Sequence, residues 1–175
     1  MPANARLLLI DPQEKMMPAI NGAQSVLARI QFLAEVADHL EIRVLATAQN
    51  RGKLGDLVQD FHRYSVLDKM TFSAYPVLAP HLAGVSEVFV VGVESHICIY
   101  QTVIDCLDQG IRVTIAGDAC GARTSDRHEL GMAACQSAGA TILHSEGIAY
   151  QWLGSAEHPK FRDVLAVVKH HSVPI

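Results

Sequence analysis

Three side chains in this sequence could together cleave a carbonyl compound: Asp11, Lys69 and Cys98. Cys98 follows an apolar run, SEVFVVGV, and the tripeptide Glu94-Ser95-His96. That order reads as a strand, a sharp turn and the first turn of a helix. A helix N-terminus carries partial positive charge and free N–H groups, so a thiol placed there ionises more readily. Ser95 is of the type that caps such a helix. Lys69, as an ammonium, would favour the thiolate. Asp11 would take the thiol proton and pass it to a leaving amine. The thiolate would attack a carbonyl carbon and form a thioester, while N–H groups of the turn held the oxyanion. Each residue also has a plainer role: a small buried thiol, a solvated lysine, a turn-forming aspartate. What sets the three apart is that each lies at or just after the end of a candidate strand.

Those strands come from the hydrophobic pattern. ARLLLID (5–11), IRVLATAQ (42–49), SEVFVVGV (86–93) and IRVTIAGDAC (111–120) are near-continuous apolar runs, the mark of strands buried on both faces. YSVLDK reads as a short strand ending at Lys69, and ATILHSEGIAYQWLG as a last strand running into a loop. Pro12 biases Asp11 towards an extended backbone. Between the strands, apolar residues recur at helical spacing: Val26, Leu27, Ile30, Leu33, Ala34 and Ala37, with Ser25 as N-cap. HICIYQTVIDCLDQG and RTSDRHELGMAACQSAG read as helices closed by Gly110 and Gly139, and HPKFRDVLAVVKHH as an amphipathic helix with His170, His171 and the tail exposed. The alternation predicts one α/β domain over 1–175: a doubly wound, mostly parallel sheet with helices on both faces. In such a sheet the carboxyl ends of the strands converge on one crevice.

Composition narrows the function. The chain has 175 residues, half of them apolar, and a formal net charge of -4. It has no basic run, which argues against nucleic acid as a partner. It also has no segment long enough to span a membrane. Four cysteines without paired spacing fit a reducing cytoplasm.

LLLIDPQ, DKMTFSA and VGVESHICIYQTVIDCLDQG, in this order and spacing, resemble the isochorismatase-like superfamily of cysteine hydrolases. The resemblance runs from LLLIDPQ to EGIAYQWLG. It implies a Rossmann-like fold and a catalytic triad of Asp11, Lys69 and Cys98. It also implies a cis peptide between Val93 and Glu94, with the backbone N–H groups of Glu94 and Cys98 forming the oxyanion hole. Nicotinamidases of that group hold a metal through an Asp-x-His pair. TAQNRGKLGDLVQDFHRYS has His62 but no such pair, so neither metal nor cofactor is expected. Many relatives have Glu where this chain has Ala48. Members that cleave a vinyl ether lack the cysteine, so Cys98 points away from that reaction.

The expected activity is therefore hydrolysis of a small amide or related C–N bond, with Gln13, Phe72 and Tyr100 binding the small-molecule substrate. The alternatives are a catalytically idle scaffold and a redox-sensing thiol. Homo-oligomers are usual in the superfamily. Tyr150 and Trp152 would lie either between subunits or within one core.

Overall fold

The computed structural model of the chain describes residues 4–171. Its centre is a six-stranded sheet in the order β3-β2-β1-β4-β5-β6, every pairing parallel. The strands are β1 (Ala5–Ile10), β2 (Arg43–Gln49), β3 (Val66–Lys69), β4 (Glu87–Val93), β5 (Arg112–Gly121) and β6 (Thr141–Leu143). The doubly wound α/β expectation therefore holds, and the sheet is wholly rather than mostly parallel.

Alternation along β1 shows how the apolar runs are used. Leu7 and Leu9 join one core with helix α1 (Ala23–His39), α6 (Ser145–Leu153) and α7 (Phe161–His171). Leu8 and Ile10 join the opposite core with α4 (Tyr100–Asp108) and α5 (Ser125–Ser137). Successive strand residues point to opposite faces, so a strand covered on both sides must be apolar throughout. Order reverses between β1 and β4, which places a crevice above their carboxyl ends.

At the edge of that crevice β4 packs tightly on β1. Gly92 has φ +125, and a Cβ there would lie 2.0 Å from the Ile10 carbonyl oxygen. Only glycine fits both the backbone angle and the approach.

Three sequence expectations change. TILHSEGIAYQWLG is a short strand and then α6, not a strand and loop. Trp152 supplies the reason: it is fully buried in the core and meets Phe89 edge-on at 5.0 Å between ring centroids. Tyr150 stays 40% exposed. α1 begins after Gly22 rather than at a Ser25 cap. His171 is not exposed: its ring sits 3.0 Å from Glu35 and edge-on to Phe32, docking α7 on α1. The tail beyond it lies outside the described residues. The long segment after β2 carries β3 and the short helices α2 (Arg51–Leu54) and α3 (Tyr75–Leu78).

Candidate active site

Asp11 stands one residue past β1. Its backbone is left-handed, φ 51, and not extended as Pro12 predicted. Aspartate is one of the few side chains that accept this region. Its N–H still donates to the Thr47 carbonyl at 3.2 Å, so the β1–β2 ladder continues through the turn. The carboxylate is wholly buried. Thr47 Oγ1 donates to Oδ1 at 2.7 Å, and Lys69 Nζ lies 2.7 Å from Oδ2. Oδ2 takes no aligned hydrogen bond among the described residues, so it keeps a lone pair for another proton.

Lys69 ends β3, an edge strand, yet its side chain is 0% exposed. Nζ is ringed by Gln49 Oε1 at 2.6 Å, Asp11 Oδ2 at 2.7 Å, the Phe72 carbonyl at 3.0 Å and the Thr71 carbonyl at 3.2 Å. An ammonium has three protons, and the Gln49, Thr71 and Phe72 oxygens accept them, with Asp11 Oδ2 beside Nζ as an ion pair. Lys69 is a fixed positive charge.

Cys98 is 4% exposed, and its thiol feels the charges of both Asp11 and Lys69. Burial and the Asp11 carboxylate push the thiol up to about 12, against the opposing pull of Lys69. This corrects the expectation of a readily ionised thiol. The thiol does stand at a turn, but desolvation outweighs the lysine. The resting group is a neutral thiol, with a carboxylate beside it able to receive its proton.

The turn that carries Cys98 is wider than expected. Residues Ser95–Ile99 form a single π-helical turn before α4. The Glu94 carbonyl accepts from the N–H groups of Ile97 at 3.0 Å and Ile99 at 3.2 Å. The Val93–Glu94 peptide is cis. Ser95 is not a cap: its hydroxyl donates to the Gly121 carbonyl at 3.0 Å and sits 2.8 Å from His128 Nδ1. That ties the turn to β5 and α5. Thr102 Oγ1 donates to the Cys98 carbonyl at 2.6 Å and accepts from the Ala74 N–H at 2.8 Å. One hydroxyl thus joins the Cys98 turn to the segment after Lys69.

The expected substrate residues divide. Gln13 is fully buried, and its amide is spent on the backbone. Nε2 donates to the carbonyls of Gln49 (3.0 Å) and Gly55 (2.7 Å), and Oε1 accepts from the Gln49 N–H (2.8 Å). It has no donor left for a substrate, so its role is to hold the loop beyond β2. Phe72 is 54% exposed beside Lys69. Tyr100 is partly buried against the Cys98 face of the sheet. Glu94 is buried, and its Oε2 accepts from both the backbone N–H and Nε of Arg123, each at 3.1 Å.

Thr47, Gln49 and Thr102 escaped the sequence reading. The signal available for the first two was a polar pair ending an otherwise apolar strand. Among the described residues no group of three or more His, Cys, Asp or Glu could hold a metal ion, and His62 contacts the Leu57 carbonyl at 2.7 Å. No described helix is long and apolar enough to cross a membrane.

Comparison with known proteins finds the chain's family and fold. The profile of the Isochorismatase domain matches residues 5–147. Isochorismatase domain-containing protein 2 of Pongo abelii is 31% identical over 174 residues, covering 97% of this chain and 85% of the relative. The MAR1 ribonuclease of Caenorhabditis elegans superposes with a TM-score of 0.93 at 28% identity, covering 99% of this chain and 96% of that one. The YcaC gene product of Escherichia coli, an octameric hydrolase of unknown specificity, shares the fold: TM-score 0.78 at 17% identity, covering 97% and 95% of the two chains.

Proposed function

Because the chain belongs to the isochorismatase-like hydrolase family, we propose that it hydrolyses a small amide or related C–N bond through a thioester on Cys98. The observation that carries this reading is a buried carboxylate–ammonium pair, 2.7 Å apart, whose charges both act on one buried thiol. Asp11 takes the thiol proton as sulfur attacks the carbonyl carbon. The N–H groups of Glu94 and Cys98 hold the resulting oxyanion. Collapse breaks the C–N bond, and Asp11 returns the proton to the departing amine. Asp11 then takes a proton from water, whose oxygen displaces the sulfur. The acid leaves and the thiol regains its proton. Lys69 holds the Asp11 carboxyl in place throughout. Phe72 and Tyr100 line the approach for the small-molecule substrate.

The site favours turnover over the two alternatives. A scaffold gains little from burying an ion pair, since desolvation offsets much of the attraction. A redox sensor needs an accessible thiolate, and Cys98 is a buried thiol raised to about 12. The name of the C. elegans neighbour suggests a ribonuclease, but a net charge of -4 works against binding a polyanion. Four free cysteines suit a reducing cytoplasm. Met70 and Phe72, 71% and 54% exposed beside the site, support a homo-oligomer that covers them.

The test is to quench the protein in acid during turnover of a panel of small amides and weigh it intact. An acyl adduct on Cys98, absent in Cys98→Ala and formed roughly 100-fold or more slowly in Asp11→Asn, is the expected result. Product formation at full rate in Cys98→Ala would sink the proposal.

A further inference from the structure

A cavity of about 340 Å³ lies in the crevice above the sheet. Its walls come from four loops. Lys15, Met16 and Ile20 follow β1, Leu54 follows β2, Glu94 follows β4 and Arg123 follows β5. It therefore straddles the point between β1 and β4 where strand order reverses, the place where open α/β sheets bind their ligands.

We propose that the substrate amide carries a carboxylate, and that Arg123 binds that group in this cavity. The inference rests on the thioester reading above and adds the substrate class. Arg123 and Lys15 bring two positive charges to the wall. Its one carboxylate, Glu94, already accepts two hydrogen bonds from Arg123. The wall is thus net positive, with apolar patches from Met16, Ile20 and Leu54.

The geometry favours a carboxylate in particular. Nε of Arg123 is engaged by Glu94 at 3.1 Å, while 48% of the side chain remains exposed. The edge left for a ligand is the pair of terminal amino groups. That planar fork matches the two oxygens of a carboxylate. Glu94 also fixes the guanidinium before a ligand arrives, which lowers the entropy cost of binding. The residue that anchors Arg123 is the same one whose backbone N–H is assigned to the oxyanion. Cys98 does not line the cavity, and Glu94 is the residue through which it borders the Cys98 turn.

Succinamate and butyramide test this. They share a four-carbon amide chain, and the terminal carboxylate of one replaces the methyl of the other. In the wild-type protein kcat/KM should favour succinamate by about tenfold or more. Arg123→Gln should bring that ratio close to one, mainly through KM, and Arg123→Lys should restore only part of it. Taking the ratio within each variant cancels any general damage from freeing Glu94. A wild-type ratio near one, or a preference that survives Arg123→Gln, overturns the proposal. Calorimetry with succinamate on Cys98→Ser separates the subsite from the chemistry. Saturable binding that disappears in Cys98→Ser/Arg123→Gln upholds the subsite even if neither amide is turned over, in which case the hydrolase reading fails alone. Absence of binding, with no turnover in the wild type, overturns the subsite.

Discussion

Lys69 Nζ and Asp11 Oδ2 lie 2.7 Å apart with both side chains fully buried. Removing one partner strands the other charge away from water. Lys69→Met should therefore cost about 3–5 kcal/mol of stability. Asp11→Asn combined with Lys69→Met should recover much of that loss, because no lone charge remains and Thr47 still has an oxygen to bond. Urea melts of the three proteins decide it. A double variant no more stable than Lys69→Met would show that the pair is not coupled in this way.

The neutral thiol has a kinetic signature. Burial and Asp11 raise Cys98, and Lys69 lowers it. Alkylation by iodoacetamide should be slow at neutral pH and rise only in the alkaline range. Asp11→Asn removes a raising cause, so its profile should move to lower pH. Lys69→Ala removes the lowering one and should move it higher. Mass spectrometry of the Cys98 peptide reads the rates. Fast alkylation of the wild type at pH 7, or no movement in either variant, contradicts the site as described.

Helix α5 bears directly on the Cys98 turn. A Cβ added to Gly131 would meet the His96 N at 2.8 Å and the Ser95 carbonyl carbon at 2.9 Å, both backbone atoms. Gly131→Ala must therefore push the turn that carries Cys98. It should lower kcat by about tenfold or more while the protein stays folded, since small misplacements of reacting groups are costly. Circular dichroism and turnover measured on one sample separate the two effects. Full activity in a folded Gly131→Ala would mean the turn is free to move.

Gln13 and Gln49 brace Lys69 in series. Gln13 holds the Gln49 backbone, and Gln49 Oε1 holds Nζ at 2.6 Å. Gln13→Ala should cost about 1–3 kcal/mol through the unpaired backbone groups it leaves. Gln49→Ala should mainly depress kcat and leave KM little changed. A Gln49→Ala protein with wild-type kcat would remove it from the site's support.

Burial of thiols also sets an alkaline limit. Cys98 and Cys106 are raised to about 12, chiefly by burial, from an ordinary value of 9.0. An unfolded thiol loses its proton first, so the unfolded state gains as pH rises through this window. The contribution is intact below 9 and is lost towards 12. By pH 10.5 each thiol should account for about 2 kcal/mol. Melts at pH 8 and pH 10.5 check it, and equal stability at both would contradict the burial.

The sequence by itself determined the strands and brought forward three candidate site residues. Strands buried on both faces must be apolar along their whole length, as LLLI and VFVVGV are. The candidacy of Asp11, Lys69 and Cys98 follows from residue type and from position at strand ends. What only the tertiary structure decided lies in contacts between distant segments. Gln13 changed from a candidate substrate ligand to a brace because its partners lie 36 and 42 residues away. Ser95 left its cap for Gly121 and His128, and Glu94 found Arg123 across 29 residues. Asp11 turned left-handed against the pull of Pro12. The charge state of Cys98 was decided last. It depends on how much water the whole fold removes from one sulfur, a sum over the chain that no local pattern of residues encodes.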